Sequence, residues 1–205
     1  MLIRKEDVIQ KAQCTLALSI YFRNSKLYKF LSQIFILPTP RMLRYWLQRM
    51  QLDCGWNESL FNILKMKAET MKPQDRVCGV IFDAVSLKEG ITYNIHRDKF
   101  NGFEDLGQYG SSGKPATYAM VFMAKGLASK WKQVLGYFLF NKSIKPNLLK
   151  EMLHDCISKL KMTGMIPKFV VADQDVTNRS VYSKLNISTE KPYITHNNEN
   201  VYFFL

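Results

Sequence analysis

Val77-Cys78-Gly79-Val80-Ile81-Phe82-Asp83 is a short apolar run that ends on an acid, and Phe169-Val170-Val171-Ala172-Asp173 repeats the arrangement ninety positions later. Runs of this length and composition predict buried strands. Both aspartates are expected to emerge at strand ends. If the two strands are neighbours about 4.8 Å apart, the two carboxylates converge on one spot. Carboxylates that close repel each other unless a cation neutralises them, and hard oxygen ligands with open positions suit magnesium. Ions about 3.5 to 4 Å apart in a two-metal site activate water on one side of a phosphodiester and stabilise the leaving oxygen on the other. Such a centre as a rule needs a third carboxylate. The competing reading of each acid is a turn former or helix cap.

Outward from these runs, strands are predicted over Val77 to Phe82, Ile91 to Ile95, Tyr118 to Ala124 and Val134 to Phe140. A helix follows over Pro146 to Met162, where Leu149, Leu153, Cys156 and Leu160 keep a helical period and Gly164 closes it. Then come the Phe169 run, a short helix over Thr177 to Leu185 and a last strand over Asn200 to Leu205. An antiparallel opening followed by strand-helix-strand crossovers implies an α/β (α+β) mixed sheet with helices on its faces.

The texture before Pro73 is helical. One helix is expected over Lys5 to Phe22, and a second carries Leu27, Phe30, Leu31 and Ile34 at the spacing of a single apolar face. Thr39-Pro40 supplies an N-cap hydroxyl and a first-turn proline for a third helix to about Met50. On that helix Leu43, Trp46, Leu47 and Met50 make an apolar stripe, opposite Arg41, Arg44, Tyr45 and Gln48. Two short helices with a cationic outer face suit helix-turn-helix docking on DNA; a solvated face of a small bundle is the alternative. A further helix is expected from Asn57 to about Met71, with Leu60, Phe61, Leu64 and Ala68 inward. The domain boundary falls at residues 72 to 76, giving a helical, DNA-contacting region over 1–72 and a sheet domain over 76–205.

The 205 residues are 47% apolar and 22% charged, which describes a globular chain rather than a disordered one. The net charge of +12 favours an anionic partner such as nucleic acid. Residues 1–50 hold nine Lys or Arg against Glu6 and Asp7, so +7 of that charge sits in the first quarter. Apolar runs are too short to span a membrane, and Arg4, Lys5, Glu6 and Asp7 stand where a secretion signal needs apolar residues, so an intracellular chain is expected. Cys14, Cys54, Cys78 and Cys156 lack zinc or redox spacing and read as reduced, mostly buried thiols. His96, His154 and His196 read as isolated. Gly110-Ser111-Ser112-Gly113-Lys114-Pro115 is not a phosphate loop, because Gln108 and Pro115 break the pattern, and a mobile loop is expected there. Trp131, between Lys130 and Lys132, reads as a core residue ahead of a nucleic-acid stacking platform.

Several segments in order resemble the P-element transposase and its THAP-domain relatives. They are Leu18-Ser19-Ile20-Tyr21, Ile34-Phe35-Ile36-Leu37-Pro38-Thr39-Pro40-Arg41, Phe82-Asp83-Ala84-Val85-Ser86-Leu87-Lys88-Glu89-Gly90, Gly102-Phe103-Glu104-Asp105-Leu106-Gly107, Lys130-Trp131-Lys132-Gln133, Val171-Ala172-Asp173-Gln174 and Glu190-Lys191-Pro192-Tyr193. The resemblance implies a helical DNA-contacting region and then an RNase H-like domain, in which Asp83 and Asp173 match two of three acids that hold catalytic Mg2+. It also implies DNA and further copies of the chain as partners, and a nuclear location. The family often has Asp-Glu-Met where this chain has Asp83-Ala84-Val85; the altered neighbour points to the other face of a strand.

The family's zinc domain, its guanine-nucleotide-binding insertion and its catalytic Glu match nothing in these residues, so no zinc, no GTP site, an RNase H-like fold short of its last helix and an incomplete metal site are expected. Glu190, Glu199 and Asp175 do not take the third acid's position, and Asp175 reads as a helix cap before Thr177. The resemblance thus implies a partial P-element-type DNA transposase, itself inactive in cleavage and strand joining. The alternatives are a non-catalytic DNA-binding or protein-interaction module derived from one, and a gene fragment that folds poorly with apolar surface exposed.

Overall fold

The computed structural model describes residues 16–48, 52–95 and 97–204. These form two compact units that divide between Leu52 and Asp53.

In the first unit the described part of helix α1 covers residues 16–23, followed by α2 (Ser25–Ile34) and α3 (Pro40–Gln48). Residues 1–15 and 49–51, which hold the start of the first expected helix and the expected end of the third, lie outside the described residues. The Asn24 side chain caps α2 by accepting the Lys26 and Leu27 N–H groups, both at 3.0 Å. The Thr39 hydroxyl accepts the Met42 N–H at 3.2 Å, as its position before Pro40 predicts. Ala17, Tyr28 and Leu43 make the core. This corrects the expected face of α2: Leu27, Phe30 and Ile34 are exposed, and Tyr28 is buried instead. Tyr28 wins because its ring meets Tyr21 edge-on at 5.4 Å while its hydroxyl donates to the Pro38 carbonyl, so one side chain serves both core and loop.

The second unit runs β1 (Gly55–Trp56), α4 (Glu58–Thr70), a 3-10 turn (Pro73–Arg76), β2 (Val77–Ser86), β3 (Thr92–Asn94), β4 (Lys99–Asn101), β5 (Phe103–Asp105), β6 (Ser111–Pro115), β7 (Tyr118–Gly126), β8 (Lys132–Phe140), α5 (Pro146–Met162), β9 (Ile166–Val171), α6 (Val176–Lys184), β10 (Tyr193–His196) and β11 (Glu199–Phe203). The main sheet has the order β10-β11-β9-β2-β7-β8-β5-β6, with β1 on β8 and with β3 and β4 as a separate hairpin. Strands β2, β7 and β8 are an antiparallel meander. Strand β9 returns through α5 to lie parallel to β2, and β11 returns through α6 and β10 to lie parallel to β9. This is the expected α/β class with a mixed sheet.

Alternation along β2 turns Val80 and Phe82 into the core, and each pairs across with an inward residue of β7, Ala124 and Phe122. Trp56 closes the layer by meeting Phe122 and Phe138 edge-on at 5.0 and 4.9 Å. Onto this face pack Leu149, Leu153, Cys156, Ile157 and Leu160 of α5 and Phe61, Leu64 and Ala68 of α4. Each fully buried aliphatic or aromatic side chain contributes about 1.5 to 3 kcal/mol. Helix α4 therefore belongs to the core of the sheet unit, and the division between compact units lies some twenty residues before the one drawn at 72–76. The segment Ser111–Pro115 is strand β6, paired with β5, and not a loop. Its short polar sequence, with Gly113 in the middle, hides a strand from any reading of hydrophobic alternation.

Candidate metal centre

The register of β2 against β9 sets the site. Gly79, Val80 and Ile81 pair in parallel with Phe169, Val170 and Val171. Asp83 and Asp173 therefore stand at matching positions, each two residues past the last couple, Ile81 and Val171. Both acids are exposed. Asp83 does not follow its strand, as the sequence reading has it. Strand β2 runs on to Ser86 because β7 is long enough to pair all of it, and Asp83 sits inside it opposite Val121. Its neighbour Ala84 points the other way, as the alternation predicts. One Asp83 oxygen accepts the Ala84 N–H at 2.8 Å.

Asp173 lies in the turn between β9 and α6, and a residue the sequence reading missed holds it. Asn178, only 5% exposed, donates from Nδ2 to Asp173 Oδ1 at 2.5 Å and to the Asp173 carbonyl at 3.2 Å. The signal was available: Asp175 caps α6 by accepting the Thr177 N–H at 3.1 Å, which puts Asn178 at the third helical position, where polar side chains reach back over the cap. Those bonds from Thr177 hold the Asp175 carboxyl below its usual pKa, as its place as a helix cap predicts. Tyr182 on the same helix is buried, and among the described residues its hydroxyl has no hydrogen-bond partner. Burial first, and the Asp173 charge second, push its pKa up.

Two exposed carboxylates, one inside β2 and one just past the end of β9, are oxygen-only donors that suit a hard cation held partly by water. Among the described residues no group of three or more His, Cys, Asp or Glu side chains comes together to hold a metal ion. The other acids are engaged elsewhere: Glu199 with Lys161 and Lys168 at 3.4 and 3.8 Å, Glu190 with the Thr189 hydroxyl at 3.0 Å. A cavity of about 270 Å³ opens beside Asp173. A larger one of about 410 Å³, between Asp53, Lys99 and Tyr137, touches neither acid.

On α3 Arg41 and Arg44 are exposed while Leu43 is buried, the segregation its pattern predicts. Arg44 Nε donates back to the Pro40 carbonyl at 3.3 Å. Gln48 is the last residue of the helix, and its side chain lies outside what is described. Trp131 is a core residue, 8% exposed, with its indole N–H on the Asp75 carbonyl at 3.0 Å. The histidines are less isolated than their spacing suggests: His154 of α5 and His196 of β10 have ring centroids 6.2 Å apart. His96 lies outside the described residues. Cys78 and Cys156 are buried, and burial pushes the Cys78 thiol up to about 12; Cys54 is half-buried and Cys14 lies outside the described residues.

The family described as TNP-like, RNase H N-terminal domain, matches residues 52–186, about two thirds of the chain. The chain belongs to this family. Its start at residue 52 coincides with the boundary between the compact units. The TNP-like chain is 27% identical over 173 residues to DNA transposase THAP9 of Homo sapiens, covering 83% of this chain and 19% of that protein. It is 24% identical over 162 residues to the Transposable element P transposase of Drosophila melanogaster, covering 79% and 19%. The chain thus spans about a fifth of the length of the curated relatives it matches. Its fold superposes on the Drosophila P element transposase strand transfer complex with a TM-score of 0.71, over 100% of this chain and 41% of that one at 20% identity. The homology to P-element-type transposases and the RNase H-like fold are as the sequence implies.

Proposed function

We propose that this chain supplies the DNA-contacting helices and the metal-holding carboxylates of a P-element-type transposase, with Asp83 and Asp173 as ligands of Mg2+ and Arg41, Arg44 and Gln48 against DNA. The observation that carries the proposal is the parallel register of β2 and β9, whose last couple, Ile81 and Val171, stands two residues before each acid. Magnesium bound there supplies charge neutralisation and water activation for phosphodiester cleavage and joining. The chain's own residues hold the geometry. Strand β7 fixes the backbone at Asp83, and Asn178 fixes one oxygen of Asp173, leaving the other for a cation. On α3 the burial of Leu43 turns Arg41 and Arg44 to solvent, where they neutralise phosphates and release counterions.

A second reading is a DNA-binding module without cleavage. It is favoured by the fact that no third acid joins the pair among the described residues. One experiment separates the two. Magnesium-dependent nicking of supercoiled plasmid by the purified chain, lost in Asp83→Ala and in Asp173→Ala, supports cleavage. Salt-sensitive binding without nicking supports the module. Failure to bind DNA at low salt contradicts both.

A further inference from the structure

The cavity beside Asp173 holds features that the metal centre does not use. Its walls come from the open ends of β7 and β8, where Tyr118 pairs across with Phe140. The two rings stack at 5.4 Å with 19° between their planes. Phe140 is the inner ring at 4% exposure and Tyr118 the outer one at 36%, so a buried aromatic backs a phenol that is open to solvent. Met120, also buried, lies two residues further in on the same face.

The rim carries a cation. Lys142 follows β8 with φ 62, and its N–H donates to the Thr117 hydroxyl at 2.9 Å, which pins its backbone in a conformation few L residues adopt. Lys142 is exposed and forms no ion pair among the described residues. Asp173 and Asp175 line the other side. One cavity thus presents a stacking ring, a lysine and a carboxylate pair.

At about 270 Å³ it is slightly below the roughly 300 Å³ where pockets for drug-sized ligands begin, so it suits one nucleotide and not a dinucleotide. Every base has a π-face that stacks on an aromatic ring irrespective of sequence.

From this we infer that the cavity takes one unpaired nucleotide, its base on Tyr118 and its phosphate at Lys142, next to Asp173. The inference rests on the proposed reading of Asp173 and deepens it: the DNA that reaches this acid has a frayed or single-stranded end. Paired bases are excluded because a base must leave its partner to lie flat on Tyr118. The Asp173 and Asp175 charges oppose the phosphate, so magnesium strengthens the binding.

The test uses the whole chain and oligonucleotides that carry 2-aminopurine, either in a single-stranded overhang or inside a blunt duplex, with and without magnesium. A labelled deoxynucleoside monophosphate serves as the free-nucleotide arm. The overhang label is expected to be quenched on binding, and the duplex label not. Tyr118→Ala should abolish the quench and weaken overhang affinity by roughly 5- to 150-fold while blunt-duplex affinity stays the same. Tyr118→Phe should preserve the quench, which separates stacking from a role of the hydroxyl or from misfolding. Quenching of the monophosphate at similar concentrations assigns the cavity to free nucleotides; its absence assigns it to strand ends. Duplex binding with no overhang quench, or a quench that survives Tyr118→Ala, overturns the inference and leaves the proposed function standing. Absence of any DNA binding overturns both.

Discussion

Asn178 holds Asp173 through a single amide nitrogen that reaches both the carboxylate, at 2.5 Å, and the main-chain carbonyl, at 3.2 Å. One buried side chain therefore sets both the turn after β9 and the direction of the acid. Replacement by Ala removes hydrogen bonds to a charged acceptor and leaves a gap at the start of α6. The expected loss is about 1.5 to 3 kcal/mol, read from the urea midpoint at constant m. An unchanged midpoint would mean that the turn is held by something else.

Tyr182 behaves in the opposite sense. Its hydroxyl is buried without a hydrogen-bond partner among the described residues, close enough to Asp173 to feel its charge. Tyr182→Phe should leave stability unchanged or raise it by about 1 kcal/mol, because an unsatisfied oxygen is removed and the ring contact with Phe203 at 5.4 Å is kept. A loss above about 1 kcal/mol in thermal unfolding would show that the hydroxyl has a structural partner.

Much of this was legible in the sequence. Helix α5 shows an apolar period bracketed by Pro146 and Gly164, and it occupies the expected Pro146–Met162. The apolar runs before Asp83 and Asp173 do become neighbouring strands. What stayed hidden is non-local or breaks alternation. Strands β4, β5 and β6 are short or glycine-bearing, and β1 exists only because Gly136 lets the Gly55 carbonyl close in. Tyr28 displaces the stripe of α2 because a carbonyl ten residues away receives its hydroxyl. Nothing in the spacing of His154 and His196 shows that α5 and β10 bring them together.

Gly136 makes that dependence testable. A Cβ there would lie 2.4 Å from the Gly55 carbonyl oxygen and 3.0 Å from the Trp56 ring. Backbone cannot give way as a flexible side chain can. Gly136→Ala should cost about 1 to 3 kcal/mol and release Trp56, seen as a red shift of its fluorescence. A variant as stable as the parent would contradict the tight β1–β8 approach.

The two histidines make stability depend on pH. Burial first, and then the His196 and Lys150 charges, lower the His154 pKa; burial and Lys161 lower that of His196. The unfolded chain, with pKa about 6.5, therefore binds protons before the folded one does. Stability should be unaffected by this pair above pH 7 and fall as pH drops through about 6.5 towards the folded values. His154→Gln should flatten that fall in urea midpoints taken from pH 8 to 5. An equal slope in parent and variant would remove the pair from the account.

Arg41 and Arg44 bear on the nucleic-acid reading. If each neutralises a phosphate, Arg41→Gln with Arg44→Gln should reduce the slope of log affinity against log salt by about two for duplex DNA. An unchanged slope, measured by fluorescence anisotropy, would place the interface elsewhere.

The joint holding of a divalent ion by Asp83 and Asp173 is tested most directly by titrating the chain with Mn2+ while its amide resonances are followed by NMR. The account predicts paramagnetic broadening at the amides flanking both residue 83 and residue 173 at the same sub-stoichiometric addition, and its disappearance from both places in Asp83→Asn alone and in Asp173→Asn alone. Broadening at only one of the two, or broadening that either single substitution leaves intact at the other, would contradict it.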